Sequence, residues 1–107
     1  MNHILVVSTA NTMKLAEEIA LALVENREAA CVNIVPEIRS IYRWEGKVTQ
    51  DKEFLLLIKS SAEKFEAIKC RIRSLHSYQV PEIIALPITL GDANYLNWLR
   101  KELLADS

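Results

Sequence analysis

Few side chains in this sequence are equipped for chemistry. The histidines are His3 and His76, and the cysteines are Cys31 and Cys70. His76 stands in Leu75-His76-Ser77-Tyr78 at the expected end of a helix. There an imidazolium complements the helix dipole, or a neutral imidazole serves as a metal ligand. Cys31 alternates with Val32 in a strand-like run, either as a small inert hydrophobe or as a thiolate ligand. Cys70 lies between Lys69 and Arg71, whose charges favour the thiolate, although an idle surface thiol fits equally well. Glu53 and Lys59 share strand parity at the two ends of an apolar run. They are candidate cleft liners together with Tyr78, and an ordinary exposed pair is the competing reading. Met1-Asn2-His3 has the form of an amino-terminal Cu(II) chelate, in which the amine, two amides and the His3 ring form a square plane. Copper held that way would be adventitious.

Several chemistries are missing. Gly46 and Gly91 are the only glycines, so a glycine-rich phosphate cradle is absent. No serine sits in a nucleophile elbow. The net charge is −1, with no basic stripe for nucleic acid. The two cysteines match neither a disulfide framework nor zinc spacing, as expected of reduced thiols in a cytoplasmic protein. Residues 1–11 lack the charged n-region of a signal peptide, and no apolar run approaches a membrane span.

The elements that must position these residues follow closely, as in one domain over residues 1–107. Residues 4–7 are apolar and mostly β-branched and predict a strand. Asn11 or Thr12 then caps a helix with Leu15, Ile19 and Leu23 on one stripe. Residues 29–44 and 47–60 predict a long hairpin turning at Glu45-Gly46, with Pro36 marking an edge or a bulge. Ser60 and Glu63 have capping-box spacing before a helix that buries Phe65, Ile68, Ile72 and Leu75. Residues 81–88 predict a last strand. Asp92 caps a terminal helix that buries Leu96, Leu99 and Leu103.

The order β-α-β-β-α-β plus a C-terminal helix is the ferredoxin-like α+β arrangement, with two helices on one face of an antiparallel sheet. Residues 54–58 and 83–86 are apolar at every position, which requires cover on both faces. The hairpin strands also outrun the outer strands and leave edges to be paired. A symmetric homo-oligomer meets both demands. Tyr42, Trp44 and Tyr78 are then either interface aromatics or core packing.

Four segments carry a resemblance. They are Ala29-Ala30-Cys31-Val32-Asn33, Ser40-Ile41-Tyr42-Arg43-Trp44-Glu45-Gly46-Lys47, Leu75-His76-Ser77-Tyr78-Gln79-Val80-Pro81-Glu82-Ile83, and Leu86-Pro87-Ile88 with Gly91 and Tyr95-Leu96-Asn97-Trp98. Together they resemble the CutA family of divalent-cation tolerance proteins. The resemblance implies a ferredoxin-like homotrimer, a link to divalent metals and copper above all, architectural kinship with PII signalling proteins, and no enzymatic activity. It implies clefts between subunits that take a metal or small ligand, while the charge balance and the short apolar runs predict no nucleic-acid or membrane partner. Some members carry a cysteine at the end of the first strand and a His-His pair before the tyrosine segment as proposed copper ligands. Here those positions hold Ser8, Leu75 and His76. The family's His-Pro-Tyr is His76-Ser77-Tyr78.

Overall fold

A computed structural model describes residues 2–104. The elements are β1 (His3–Ala10), α1 (Met13–Glu25), β2 (Cys31–Trp44), β3 (Lys47–Ser61), a 3-10 turn (Ala62–Lys64), α2 (Phe65–Leu75), β4 (Ile83–Pro87) and α3 (Ala93–Leu103). The strands form one sheet of order β2-β3-β1-β4, antiparallel at every junction. This is the expected ferredoxin-like α+β fold.

The sheet's two faces follow from strand parity. Ile4 and Val6 of β1 and Leu56 and Ile58 of β3 point to one side, where they pack with Ala16, Ile19 and Leu23 of α1 and Ile68 and Ile72 of α2. Each such valine, leucine or isoleucine side chain contributes about 1.5–3 kcal/mol when fully withdrawn from water. Arg71 of α2 ties this layer to the turn after α1. Its Nε and Nη2 donate to the Glu28 carboxylate at 3.0 and 3.1 Å, the bidentate geometry that favours arginine over lysine.

Leu5, Val7, Leu55 and Leu57 point to the other face, and register places Ile84 and Leu86 of β4 beside Val7 and Leu5. Neither α1 nor α2 covers them. Ile84 and Leu86 are 52% and 48% exposed. The terminal helix α3 packs against β3, burying Leu99 and Leu103 with Ala30.

The long hairpin turns at Glu45 and Gly46, with φ of 49° and 79°. Two successive residues at positive φ form the loop that matches strand twist. Register runs unbroken from Trp44↔Lys47 to Ile38↔Glu53, then shifts before Val35↔Leu55. Pro36 and Glu37 thus face one residue of β3, which is the bulge that Pro36 foretells. Glu37 takes φ of 49°. Odd positions of β2 before the bulge and even positions after it share a face. The domain measures 47 × 27 × 22 Å. Its radius of gyration is 14.4 Å, against about 13 Å for a compact chain of this length, because the hairpin projects.

Local expectations fared unevenly. Thr12 caps α1, its Oγ1 accepting from the Leu15 N–H at 3.1 Å, and Asp92 caps α3 through the Tyr95 N–H at 3.1 Å. The Ser60–Glu63 capping box does not form. The Ser60 hydroxyl donates instead to the Glu28 carbonyl at 2.6 Å, because Ser60 still lies in β3 and points into the protein. Leu75 is exposed at the last turn of α2, and Phe65 and Leu96 are half-buried.

Candidate functional site

On the sheet face opposite α1 and α2, a cleft of about 620 Å³ opens between the hairpin and the segment that follows α2. Ser40, Tyr42 and Trp44 of β2 line it, with Glu53 of β3, Thr9 of β1, and Ser77, Tyr78 and Glu82 of the α2–β4 segment. The bulge at Pro36-Glu37 puts Tyr42 and Trp44 on the same side as Glu53.

Glu53 is 6% exposed, an unusual place for a carboxylate. The Tyr78 hydroxyl donates to its Oε2 at 2.7 Å. Burial pushes the Tyr78 phenol well above its usual pKa, and the hydrogen bond to Glu53 and the charge of Glu53 push it further. Tyr78 therefore stays a neutral donor to the Glu53 side chain. One step towards the hairpin tip the motif repeats, with the Tyr42 hydroxyl donating to Asp51 Oδ2. Tyr42 sits diagonally across from Asp51, since Asp51 pairs with Ser40 and Tyr42 with Thr49. Its phenol is also raised, first by that hydrogen bond and then by desolvation and the charges of Asp51 and Glu53.

His76 holds this arrangement in place. Its N–H closes the last turn of α2 on the Ile72 carbonyl at 2.8 Å. Ring Nδ1 accepts the Tyr78 N–H at 3.0 Å, so the ring proton lies on Nε2, which donates to the Thr9 carbonyl at 2.6 Å. The imidazole stacks on the Tyr78 ring with centroids 4.5 Å apart. One side chain thus ties the segment after α2 to the end of β1 and aims Tyr78 at Glu53.

The other candidates lie elsewhere. Lys59 is six residues along β3 from Glu53, about 20 Å at strand rise, and its Nζ donates to Asn33 Oδ1. Cys31 is half-buried opposite Lys59 in the register. It neighbours Tyr95 of α3, whose phenol is raised by burial, then by the charge of Cys31 and a hydrogen bond to it. Cys70 is exposed on α2. His3 pairs with Ser61 across β1 and β3, and His3 Nε2 and Ser61 Oγ are both buried without a hydrogen-bond partner. The Met1 part of the amino-terminal chelate lies outside the described residues. Among the described residues, no three histidine, cysteine, aspartate or glutamate side chains gather closely enough to hold a metal ion.

Fold and site together define a small α+β domain with a cleft in which a buried carboxylate meets a phenol. The sequence model of the CutA1 divalent ion tolerance protein family matches residues 4–102, and this chain belongs to that family. It is 53% identical over 96 residues to the divalent-cation tolerance protein CutA of Thermus thermophilus, covering 90% of this chain and 93% of that one. It is 46% identical over 101 residues to the human protein CutA, spanning 92% of this chain and 56% of that longer protein. Among solved structures, the Thermus thermophilus divalent cation tolerance protein superposes with a TM-score of 0.91 at 51% identity, covering 94% of this chain and 97% of that one. CutA1 from Oryza sativa superposes at 0.93 with 41% identity, covering 95% and 94%. Relatives differ in address. The Arabidopsis thaliana relative is named chloroplastic, and the Archaeoglobus fulgidus structure is titled periplasmic. Among the described residues of this chain, no helix is long and apolar enough to cross a membrane.

Proposed function

We propose that this protein is a cytoplasmic homotrimer of the divalent-metal response, copper included, and that it takes a metal or small ligand in an intersubunit cleft, to which each chain contributes the wall formed by Glu53, Tyr42 and Tyr78. The observation that carries the reading is Glu53. A carboxylate 6% exposed, with a phenol as its hydrogen-bond donor, is a charge left short of compensation at the wall of an open cleft. Assembly is supported by the sheet face bearing Leu55, Leu57, Ile84 and Leu86, which three copies would cover while their projecting hairpins extend neighbouring sheets. His76 serves the site by positioning Tyr78.

Light scattering behind gel filtration on untagged protein, with and without Cu(II), tests the assembly. Three times the chain mass without metal is expected, and a monomer would overturn it. Isothermal titration of Cu(II) into wild type and Glu53→Gln tests the cleft, and equal affinities would remove Glu53 from the site.

One observation favours a second reading, a PII-like signalling or scaffold trimer acting through protein contacts. Ile41, Trp44 and Val48 on the hairpin are 63%, 44% and 65% exposed. A stoichiometric partner lost in Trp44→Ala would support it.

A further inference from the structure

The geometry points to an organic cation, a protonated amine or guanidinium on a short apolar stem, as the ligand class of the cleft. This inference rests on the reading of the cleft as the ligand site.

Three observations converge. The first is charge. Glu53 and Glu82 line the cleft and Asp51 borders it beneath Tyr42, whereas among the described residues of the same chain no lysine or arginine lines it. Most basic residues of the nearby hairpin are turned elsewhere. Arg39 and Lys52 are register partners that alternate with Ser40 and Asp51 and so point to the opposite face. Arg43 donates to the Gly46 carbonyl at the tip; Lys47, the register partner of Trp44, shares the face of Glu53 but lies six residues from it along β3, about 20 Å at strand rise. The second is the wall. Tyr42, Trp44 and Tyr78 supply three aromatic rings, the surface that attracts cations of low hydration and suits an apolar stem. The third is unused capacity at Glu53. Among the described residues, the bond from Tyr78 is the one hydrogen bond to its side chain, and it occupies Oε2. Oε1 remains for a ligand N–H. A buried carboxylate with a single donor is costly unless a positive charge arrives.

Size and donor set separate this class from a bare metal ion. A cleft of about 620 Å³ is in the range of small-molecule sites, many times the volume of one ion. Phenols kept protonated are poor metal ligands and good hydrogen-bond donors, while aromatic faces give a hydrated divalent ion little.

Agmatine and cadaverine serve as cationic probes, with 1,5-pentanediol as the neutral analogue and glutarate as the anionic one. Each is titrated calorimetrically into the assembled wild-type protein, and backbone amide shifts of Thr9, Glu53 and Tyr78 report where it binds. The expected result is saturable cation binding that moves these amides, at least tenfold tighter than the diol, with no glutarate binding. Glu53→Gln, which keeps the side-chain shape, should weaken the cations at least tenfold and leave the diol unchanged. Wild-type diol binding within threefold of the cations, or tighter glutarate binding, overturns the assignment without relying on the variant to fold. Cleft amides that move with Cu(II) or the diol but not with the amines sink the organic cation and leave the ligand cleft standing. Amides unmoved by every probe sink both.

Discussion

Replacing Tyr78 with phenylalanine is the sharpest probe of the cleft, since it removes one hydroxyl and keeps the ring that stacks on His76. The lost hydrogen bond is 2.7 Å long and ends on a carboxylate 6% exposed. Hydrogen bonds to charged groups contribute about 1.5–3 kcal/mol. Water can reach the cleft side of Glu53, which places Tyr78→Phe at the lower end, about 1.5–2 kcal/mol. At roughly 4 °C per kcal/mol for a domain of this length, the melting temperature should fall by about 6–8 °C. Scanning calorimetry at one fixed protein concentration is the assay, because assembly makes the midpoint depend on concentration. A second readout comes from pH. Tyr78 has a folded-state pKa raised above its unfolded value, so both states carry the proton at neutral pH. Above about pH 10 the unfolded chain releases a proton that the folded chain keeps, and stability falls as pH rises. Tyr78→Phe should flatten that alkaline decline, with the remainder due to Tyr42 and Tyr95, which are raised in the same direction. A midpoint within about 1 °C of wild type and an unchanged alkaline limb would refute the coupling of Tyr78 to Glu53.

Further outcomes follow from the packing. Ile72, fully buried between α2 and the sheet, should cost about 2–5 kcal/mol as Ile72→Ala in denaturant unfolding, and a loss below about 1 kcal/mol would mean the core collapses around the gap. At the bulge, Glu37→Val should lose about 1–2 kcal/mol, because a β-branched residue is strained at φ of 49°, whereas Glu37→Gly should be near neutral. Equal stabilities for the two variants would remove backbone strain as the explanation. Ile84→Glu places a charge on the bare sheet face at the edge strand β4 and should leave a folded monomer by light scattering; an unchanged mass would show that this face is not the interface.

Much of the fold was legible because it rests on local rules. Period-two and period-3.6 apolar patterns, the caps at Thr12 and Asp92, and the Glu45-Gly46 turn are written within a few residues of where they act. The capping box failed because spacing alone does not say where a strand ends. Ser60 carries the right residue type, but its side chain was already committed to the Glu28 carbonyl. The cleft was half legible. Glu53 and Tyr78 stood out by type, yet their pairing joins residues 25 positions apart. Asp51 was missed, although its parity with Glu53 and its place diagonal to Tyr42 were signals available from the hairpin register. Lys59 was placed with Glu53 on parity, and parity fixes a face but not a distance. Cys31 belongs with Lys59 and Tyr95, away from His76.

The role of His76 turns on a competition within its own ring. Nδ1 accepts the Tyr78 N–H, and Nε2 donates to the Thr9 carbonyl. A metal ion needs a lone pair, so Cu(II) at Nδ1 must evict the Tyr78 amide, and Cu(II) at Nε2 must displace a proton and abandon Thr9. Either route loosens the segment that aims Tyr78 at Glu53. Copper coordination at His76 and an ordered cleft are therefore mutually exclusive, and linkage makes each weaken the other. On Cu(II) titration, imidazole coordination should be accompanied by faster hydrogen exchange at the Tyr78 amide. His76→Ala should mimic the exchange effect without metal and lower the affinity of any cleft ligand through the loss of Tyr78 positioning. Copper-bound His76 with a Tyr78 amide as protected as in the metal-free protein would break this argument, because the ring would then be serving the metal and the cleft at once.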